Sequence, residues 1–201
     1  MKVLLVDDHP LFAVGFAHAL TLASPDVEVR TTVTLDEGLA QADGWPALDI
    51  VLIDYRLGHG DGLAGLRQFG ARFPLVARVL ISGDEDPALA ARARAAGASG
   101  FLGKSLALDA VVDALQRILR GEAVFPQDTA ARAGAAADAW PTARQMEVLA
   151  LIARGYQNKL IADELGIAER TVKLHVTALF DAFDARNRTH LLVRVREKGL
   201  L

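Results

Sequence analysis

Ile50-Val51-Leu52-Ile53-Asp54, together with Lys2-Val3-Leu4-Leu5-Val6-Asp7-Asp8, decides the fold. Each is a short apolar run that ends in a carboxylate. The run 50–53 has no polar position for either face of a strand, so both faces must be covered, which is the pattern of a strand inside a parallel sheet. Working outward, Val27 to Thr31, Val79 to Ile81 and Gly100 to Leu102 are further strand candidates. Helical spacing fills the intervals at Leu11 to Leu22, Leu35 to Ala42, Leu63 to Phe73, Ala88 to Ala96 and Leu106 to Arg120. The unit is (βα)5, an α/β doubly wound parallel sheet with right-handed crossovers. In such a sheet functional groups gather at the carboxyl ends of the strands.

Beyond this unit, residues 121–139 are alanine-rich with Pro126 and Gly134 and read as a linker. From Trp140-Pro141 onward only helices are expected, near Ala143 to Arg154, Lys159 to Leu165, Arg170 to Phe183 and Thr189 to Lys198. The division is therefore 1–120, a linker 121–139, and a small all-α unit 140–201. With 52% hydrophobic and 23% charged residues the chain can bury a core, and no apolar run approaches the roughly 20 residues needed to cross a bilayer. The start of the chain reads as a buried strand rather than a signal peptide, so a cytoplasmic protein with no membrane partner is expected. Zero cysteines exclude disulfides, thiol nucleophiles and cysteine zinc sites. The five histidines show no paired metal-ligand spacing, so any metal is expected on oxygen. Residues 1–137 hold 12 Lys+Arg against 17 Asp+Glu and residues 138–201 hold 10 against 8, so the halves face different partners. The weak positive surplus of the second half does not by itself argue for nucleic acid.

Four of the five inferred strands end in polar residues: Asp7-Asp8, Asp54, Ser82, and Lys104 just past the fifth. Folding brings them to one rim. Crowded carboxylates repel unless a cation intervenes, and an all-oxygen cluster suits Mg²⁺. Such a cation neutralises an incoming phosphoryl group while a lysine pairs with its oxygens, which leaves Asp54 as candidate nucleophile.

On these residues, in this order, the stretch 1 to about 120 resembles the receiver domain of two-component response regulators. The resemblance implies that Asp54 accepts a phosphoryl group from a sensor histidine kinase. It implies that Asp8, Asp54 and the Arg56 carbonyl hold Mg²⁺, with Asp7 helping through water, and that Ser82 and Lys104 bind the phosphoryl oxygens. Phe101, three residues before the lysine, takes the place of an aromatic that swings inward as Ser82 moves, passing the signal to the face around the fourth helix. Gly58 stands where receivers commonly have Pro, which loosens the loop 58–60, and Ser105 stands where many have Pro after the lysine.

In the tail, Asn158 to Leu165, a turn at Gly166 and a second helix through Lys173 have helix-turn-helix spacing. Ile161, Ala162 and Leu165 face inward, Ile167 plugs the turn, and Val172, Val176 and Leu179 anchor the second helix, which points Lys173, Leu174 and Thr177 outward. A cation, a hydroxyl and an apolar tip on an exposed helix suit the major groove. Through Thr142-Ala143-Arg144, Glu147-Val148-Leu149, Asn158-Lys159, Leu165-Gly166-Ile167, Thr171-Val172-Lys173, His175 and Asn187-Arg188-Thr189, the stretch 142–201 resembles the LuxR-type DNA-binding domain of the NarL/FixJ class. The resemblance implies that Lys173, Leu174 and Thr177 face bases, while Asn158, Lys159, Thr171 and Arg188 contact phosphates or buttress the scaffold. Gln145 stands where Glu is common, and Asp181 and Asp184 weaken the local field.

The joint expectation is a response regulator in which phosphorylation controls dimerisation and sequence-specific DNA binding, with no enzymatic turnover. One helical domain reads only a few base pairs, so the active form should be a homodimer. Two other readings stay open at this point: a phosphorylation-independent pseudo-receiver transcription factor, and a phosphohydrolase. The second is disfavoured because Arg56 occupies the place of a second catalytic acid.

Overall fold

The computed structural model describes residues 1–58, 60–126, 141 and 143–200. Its strands are β1 (Lys2–Val6), β2 (Glu28–Thr32), β3 (Ile50–Asp54), β4 (Arg56–Leu57), β5 (Gly60–Asp61), β6 (Ala77–Ser82) and β7 (Gly100–Gly103). The helices of the first unit are α1 (Pro10–Ala23), α2 (Leu35–Asp43), α3 (Gly62–Arg72), α4 (Pro87–Ala95) and α5 (Leu108–Leu119). Those of the second are α6 (Ala143–Ala153), α7 (Asn158–Leu165), α8 (Glu169–Ala182) and α9 (Arg188–Glu197).

Five strands form one parallel sheet in the order β2-β1-β3-β6-β7, with β3 at the centre. The two-residue period of a strand distributes the apolar runs to both faces. Leu4, Val6, Val51, Ile53 and Leu80 pack on one face with Leu66 and Phe69 of α3. Val3, Leu5, Ile50, Leu52, Val79 and Ile81 pack on the other with Leu20 of α1 and Leu115 of α5. The carboxyl ends of β1, β3, β6 and β7 consequently open onto one rim. Proline starts α1 and α4, where the missing N–H costs nothing, in the connections that follow β1 and β6.

The loop after Asp54 differs from expectation. A short antiparallel pair, β4 with β5, closes it, and Gly58 turns at φ 49° while its N–H donates to Asp8 Oδ2 at 2.7 Å. Gly58 therefore ties the loop to the acidic rim instead of loosening it; His59 lies outside the described residues. Helix α5 starts at Leu108, two residues later than expected, after a turn in which Leu106 N–H donates to Gly103 O. The head of the inferred linker packs with the sheet: Phe101 N–H donates to Val124 O at 2.8 Å, and Val124 and Phe125 are buried in its two cores.

The second unit has its own core of Val148, Leu149, Ile152, Ile161, Val172, Leu179, Leu191 and Val195. Helix α7 ends at Gly166, left-handed at φ 62°. Ile167 N–H returns to Ala162 O at 3.0 Å, which closes the sharp turn into α8. Among the described residues no helix is long and apolar enough to cross a membrane.

Candidate functional site

The rim holds Asp7, Asp54 and Ser82, all buried, with Asp8 and Lys104 half-buried beside them. Lys104 Nζ lies 2.7 Å from Asp7 Oδ2 and 3.0 Å from Asp54 Oδ2. Those two oxygens and Asp8 Oδ1 are buried without an aligned hydrogen bond, so charge rather than hydrogen-bond geometry holds the lysine there. Burial pushes the Asp54 carboxyl above its ordinary range; the Lys104 contact opposes this and the neighbouring Asp7 charge adds to it. Ser82 closes β6 beside the pair: its Oγ accepts Asp84 N–H at 3.0 Å and its carbonyl accepts Lys104 N–H at 2.7 Å. Arg56 heads the small hairpin immediately beyond Asp54, and Phe101 is buried in the core against the sheet. Ser105 Oγ–H donates to Glu85 Oε1 at 2.5 Å.

One rim residue went unread in the sequence. His9 Nδ1 sits 3.0 Å from Asp7 Oδ1, 3.0 Å from Asp8 Oδ1 and 3.5 Å from Asp54 Oδ2. The ligand atoms of Asp7, Asp8, His9 and Asp54 lie within 4.8 Å of one another. Three carboxylates with buried, unaligned oxygens fit a hard divalent cation. The imidazole adds one nitrogen to a donor set expected to be all oxygen. The signal was its place directly after Asp7-Asp8, since spacing between histidines says nothing about a histidine among carboxylates.

In the helical unit, Lys173 and Thr177 are exposed and Lys159 is exposed on α7. Lys173 Nζ pairs with Glu169 one turn back at 3.1 Å. Leu174 departs from its expected outward placement, and Thr171, expected at phosphates or in the scaffold, is engaged by the other unit. Leu174 packs against the core of the sheet unit, and Thr171 is buried, its Oγ1–H donating to Asp49 Oδ1 at 2.5 Å. Arg170 Nη2 lies 3.2 Å from Asp49 Oδ2, which also accepts Lys2 N–H at 2.8 Å. Asp49 is likewise a residue that sequence reasoning passed over. Burial raises its carboxyl, opposed by the bonds from Thr171 and Lys2. Arg188 donates to the carbonyls of Ile152 and Tyr156, so it braces the scaffold. Asn158, the first residue of α7, is half-buried. Gln145 Nε2 donates to Arg120 O at 2.7 Å, a second tie between the units.

The sequence of residues 3–116 matches the family described as response regulator receiver domain, and residues 142–195 match bacterial regulatory proteins of the luxR family. The chain is a response regulator. Similar full-length proteins include the glycerol metabolism activator of Pseudomonas putida, 32% identical across 96% of this chain and 93% of that protein. The transcriptional activator protein ExaE of the same species is also 32% identical, across 100% of this chain and 98% of that one. Among solved structures, a LuxR family DNA-binding response regulator from Silicibacter pomeroyi superposes with a TM-score of 0.56 at 31% identity, covering 64% of this chain and 98% of that one. This response regulator thus joins an α/β receiver to a LuxR-type DNA-binding domain of a two-component system, an architecture of transcription regulation.

Proposed function

We propose that Asp54 is the phosphoacceptor of this response regulator, taking its phosphoryl group from a sensor histidine kinase, and that the modification controls DNA binding by the helical domain. The observation that carries this reading is Lys104 Nζ, 3.0 Å from Asp54 Oδ2 on a rim of buried carboxylates. In the transfer an Asp54 oxygen bonds to phosphorus as the phosphorus–nitrogen bond to the kinase imidazole breaks. Lys104 then exchanges its contact with the carboxylates for the transferred oxygens, and Ser82 closes on another. Asp8, Asp54 and the Arg56 carbonyl would hold Mg²⁺, with Asp7 helping through water, and the ion would supply charge neutralisation. His9 adds an imidazole nitrogen beside Asp7 and Asp8. Phe101 reports the movement of Ser82 to the surface.

Lys173, Leu174 and Thr177 read bases; Asn158, Lys159 and Thr171 contact phosphates; Arg188 buttresses them. The receiver extends to about 120, residues 121–139 join it to 140–201 with the packed Val124 and Phe125 on the receiver side, and the protein works in the cytoplasm without turnover of a substrate. Helix α8 lies against the receiver through Leu174, Arg170 and Thr171, and this reading takes that arrangement as the closed form. The active form is a homodimer on a two-fold site. Helix α1 supports the pairing: Leu11, Val14 and Leu22 are 90%, 67% and 68% exposed on a helix without a single Lys, Arg, Asp or Glu. This apolar face, rather than the face around the fourth helix, is the strongest candidate for the contact between copies.

Intact mass after incubation with a small phosphodonor and Mg²⁺, native chain against Asp54→Asn, tests the nucleophile. One labile phosphoryl group on the native chain alone is expected. No gain by either chain would sink the proposal in favour of a pseudo-receiver.

A further inference from the structure

The first turn of α8 holds an anion even though Glu169, paired with Lys173 at 3.1 Å, stands in it. Its cap, Ala168, offers no side-chain oxygen to the helix, and Arg170 and Thr171 add a guanidinium and a hydroxyl to the positive helix end, the combination that binds phosphate oxygens. In the closed form an anion is already there. Asp49 Oδ1 takes the Thr171 hydroxyl at 2.5 Å, and Oδ2 lies 3.2 Å from the Arg170 guanidinium. The carboxylate is 2% exposed and forms these bonds across 121 and 122 residues of sequence.

Resting on the DNA-binding reading above, we infer that Asp49 is an internal substitute for a DNA backbone phosphate, occupying the phosphate site at the start of α8 until the domains part. Like a phosphodiester, the carboxylate carries one negative charge and presents two acceptor oxygens. The same donors cannot serve both, so closure and DNA binding compete directly, and the apparent affinity of the chain is lowered by the fraction that is open. The receiver's half of the contact is rigid. Lys2 N–H holds Asp49 Oδ2 at 2.8 Å, and Asp49 leads directly into β3, paired on both sides within the sheet. Release therefore proceeds by departure of α8, not by movement of Asp49. The strand that Asp49 enters ends at Asp54, so one central strand carries the phosphoacceptor at one end and the phosphate substitute at the other, roughly 17 Å apart at about 3.3 Å per residue.

The test is binding of the full chain to a labelled mixed-sequence 30-base-pair duplex, since non-specific affinity is the phosphate-driven part that Asp49 competes with. Asp49→Asn keeps an acceptor for Lys2 N–H but loses the charge. Asp36→Asn removes an exposed charge on α2 and controls for net charge. Unphosphorylated Asp49→Asn should bind about 10-fold tighter than the native chain, inside the 5- to 150-fold that coupling between sites usually spans, approaching phosphorylated native protein, with Asp36→Asn unchanged. Equal affinity of Asp49→Asn and native chain, or an equal gain in Asp36→Asn, overturns the inference. Arg170→Ala leaves the Lys2 bond intact; faster deuterium uptake over residues 169–172 is expected and unchanged uptake overturns the inference whether or not Asp49→Asn folds. Should the native chain bind the duplex neither before nor after phosphoryl uptake, the DNA-binding reading itself fails. Uptake of the phosphoryl group by Asp49→Asn, read by mass, separates these cases.

Discussion

A methyl group at position 62 has nowhere to go, because it would stand 2.3 Å from the carbonyl oxygen of Asp54 and 2.8 Å from Tyr55 Cα. Gly62 lets α3 start against the backbone of the proposed phosphoacceptor. Gly62→Ala should cost about 1 to 3 kcal/mol in denaturant unfolding, the range of overpacked sites, and slow phosphoryl uptake by displacing Asp54; native-like stability with native-like uptake would refute the close approach. His175 is the second residue with a decisive environment. It is 4% exposed, its Nδ1 has no partner among the described residues, and burial with Arg144 nearby lowers its pKa to about 4. The unfolded chain takes up a proton near pH 6.5 that the folded chain refuses until about pH 4. Stability due to this group is therefore intact above 6.5 and lost progressively as pH falls to 4, by an amount on the order of 3 kcal/mol. Melting curves of native chain and His175→Gln should converge on acidification across that window; parallel profiles would contradict it.

At the scale of elements, the turn between α7 and α8 hangs on the left-handed conformation of Gly166. Gly166→Ala adds no clash, since nothing lies within 4 Å of the position. Its cost is the backbone strain alone, about 1 kcal/mol, visible as a lower unfolding midpoint. An unchanged midpoint would mean the turn relaxes to another conformation. The exposed apolar face of α1 carries the next expectation. Free of Lys, Arg, Asp and Glu, with the exposed His18 among its apolar residues, it suits an isologous two-fold contact, in which each copy offers the same patch. Sedimentation of the phosphorylated chain should show a dimer that Val14→Asp dissolves, with folding unaffected because Val14 is 67% exposed. A Val14→Asp chain that still pairs would move the interface elsewhere.

Considered whole, the molecule has two sheet-flanking cores and a third, separate core in the helical domain. A cation that binds the folded receiver alone should shift only the receiver's unfolding transition. At a tenfold excess over its dissociation constant Mg²⁺ should stabilise that transition by about 1.4 kcal/mol, leave the helical domain's transition in place, and lose its effect in Asp8→Asn. An equal shift in Asp8→Asn would remove the acidic rim as the binding site.

Periodicity and terminal chemistry determined much of this protein before any folding was seen. The runs 2–6 and 50–54 announced a buried parallel sheet, and their polar ends announced a shared rim, because strand order and pleat leave little freedom in where those ends emerge. The pattern around Gly166 likewise announced the helix-turn-helix, a unit made by contacts between near neighbours. The hairpin β4–β5 was not legible, since two-residue strands carry no periodic signal. Nor was His9, whose role depends on three carboxylates from two strands. The tertiary structure alone decided that Thr171 and Leu174 are covered and that Arg170 is paired. Their partners lie in the other domain, Asp49 across 121 and 122 residues of chain, and a contact between two independently folded units leaves no mark in the local period of either.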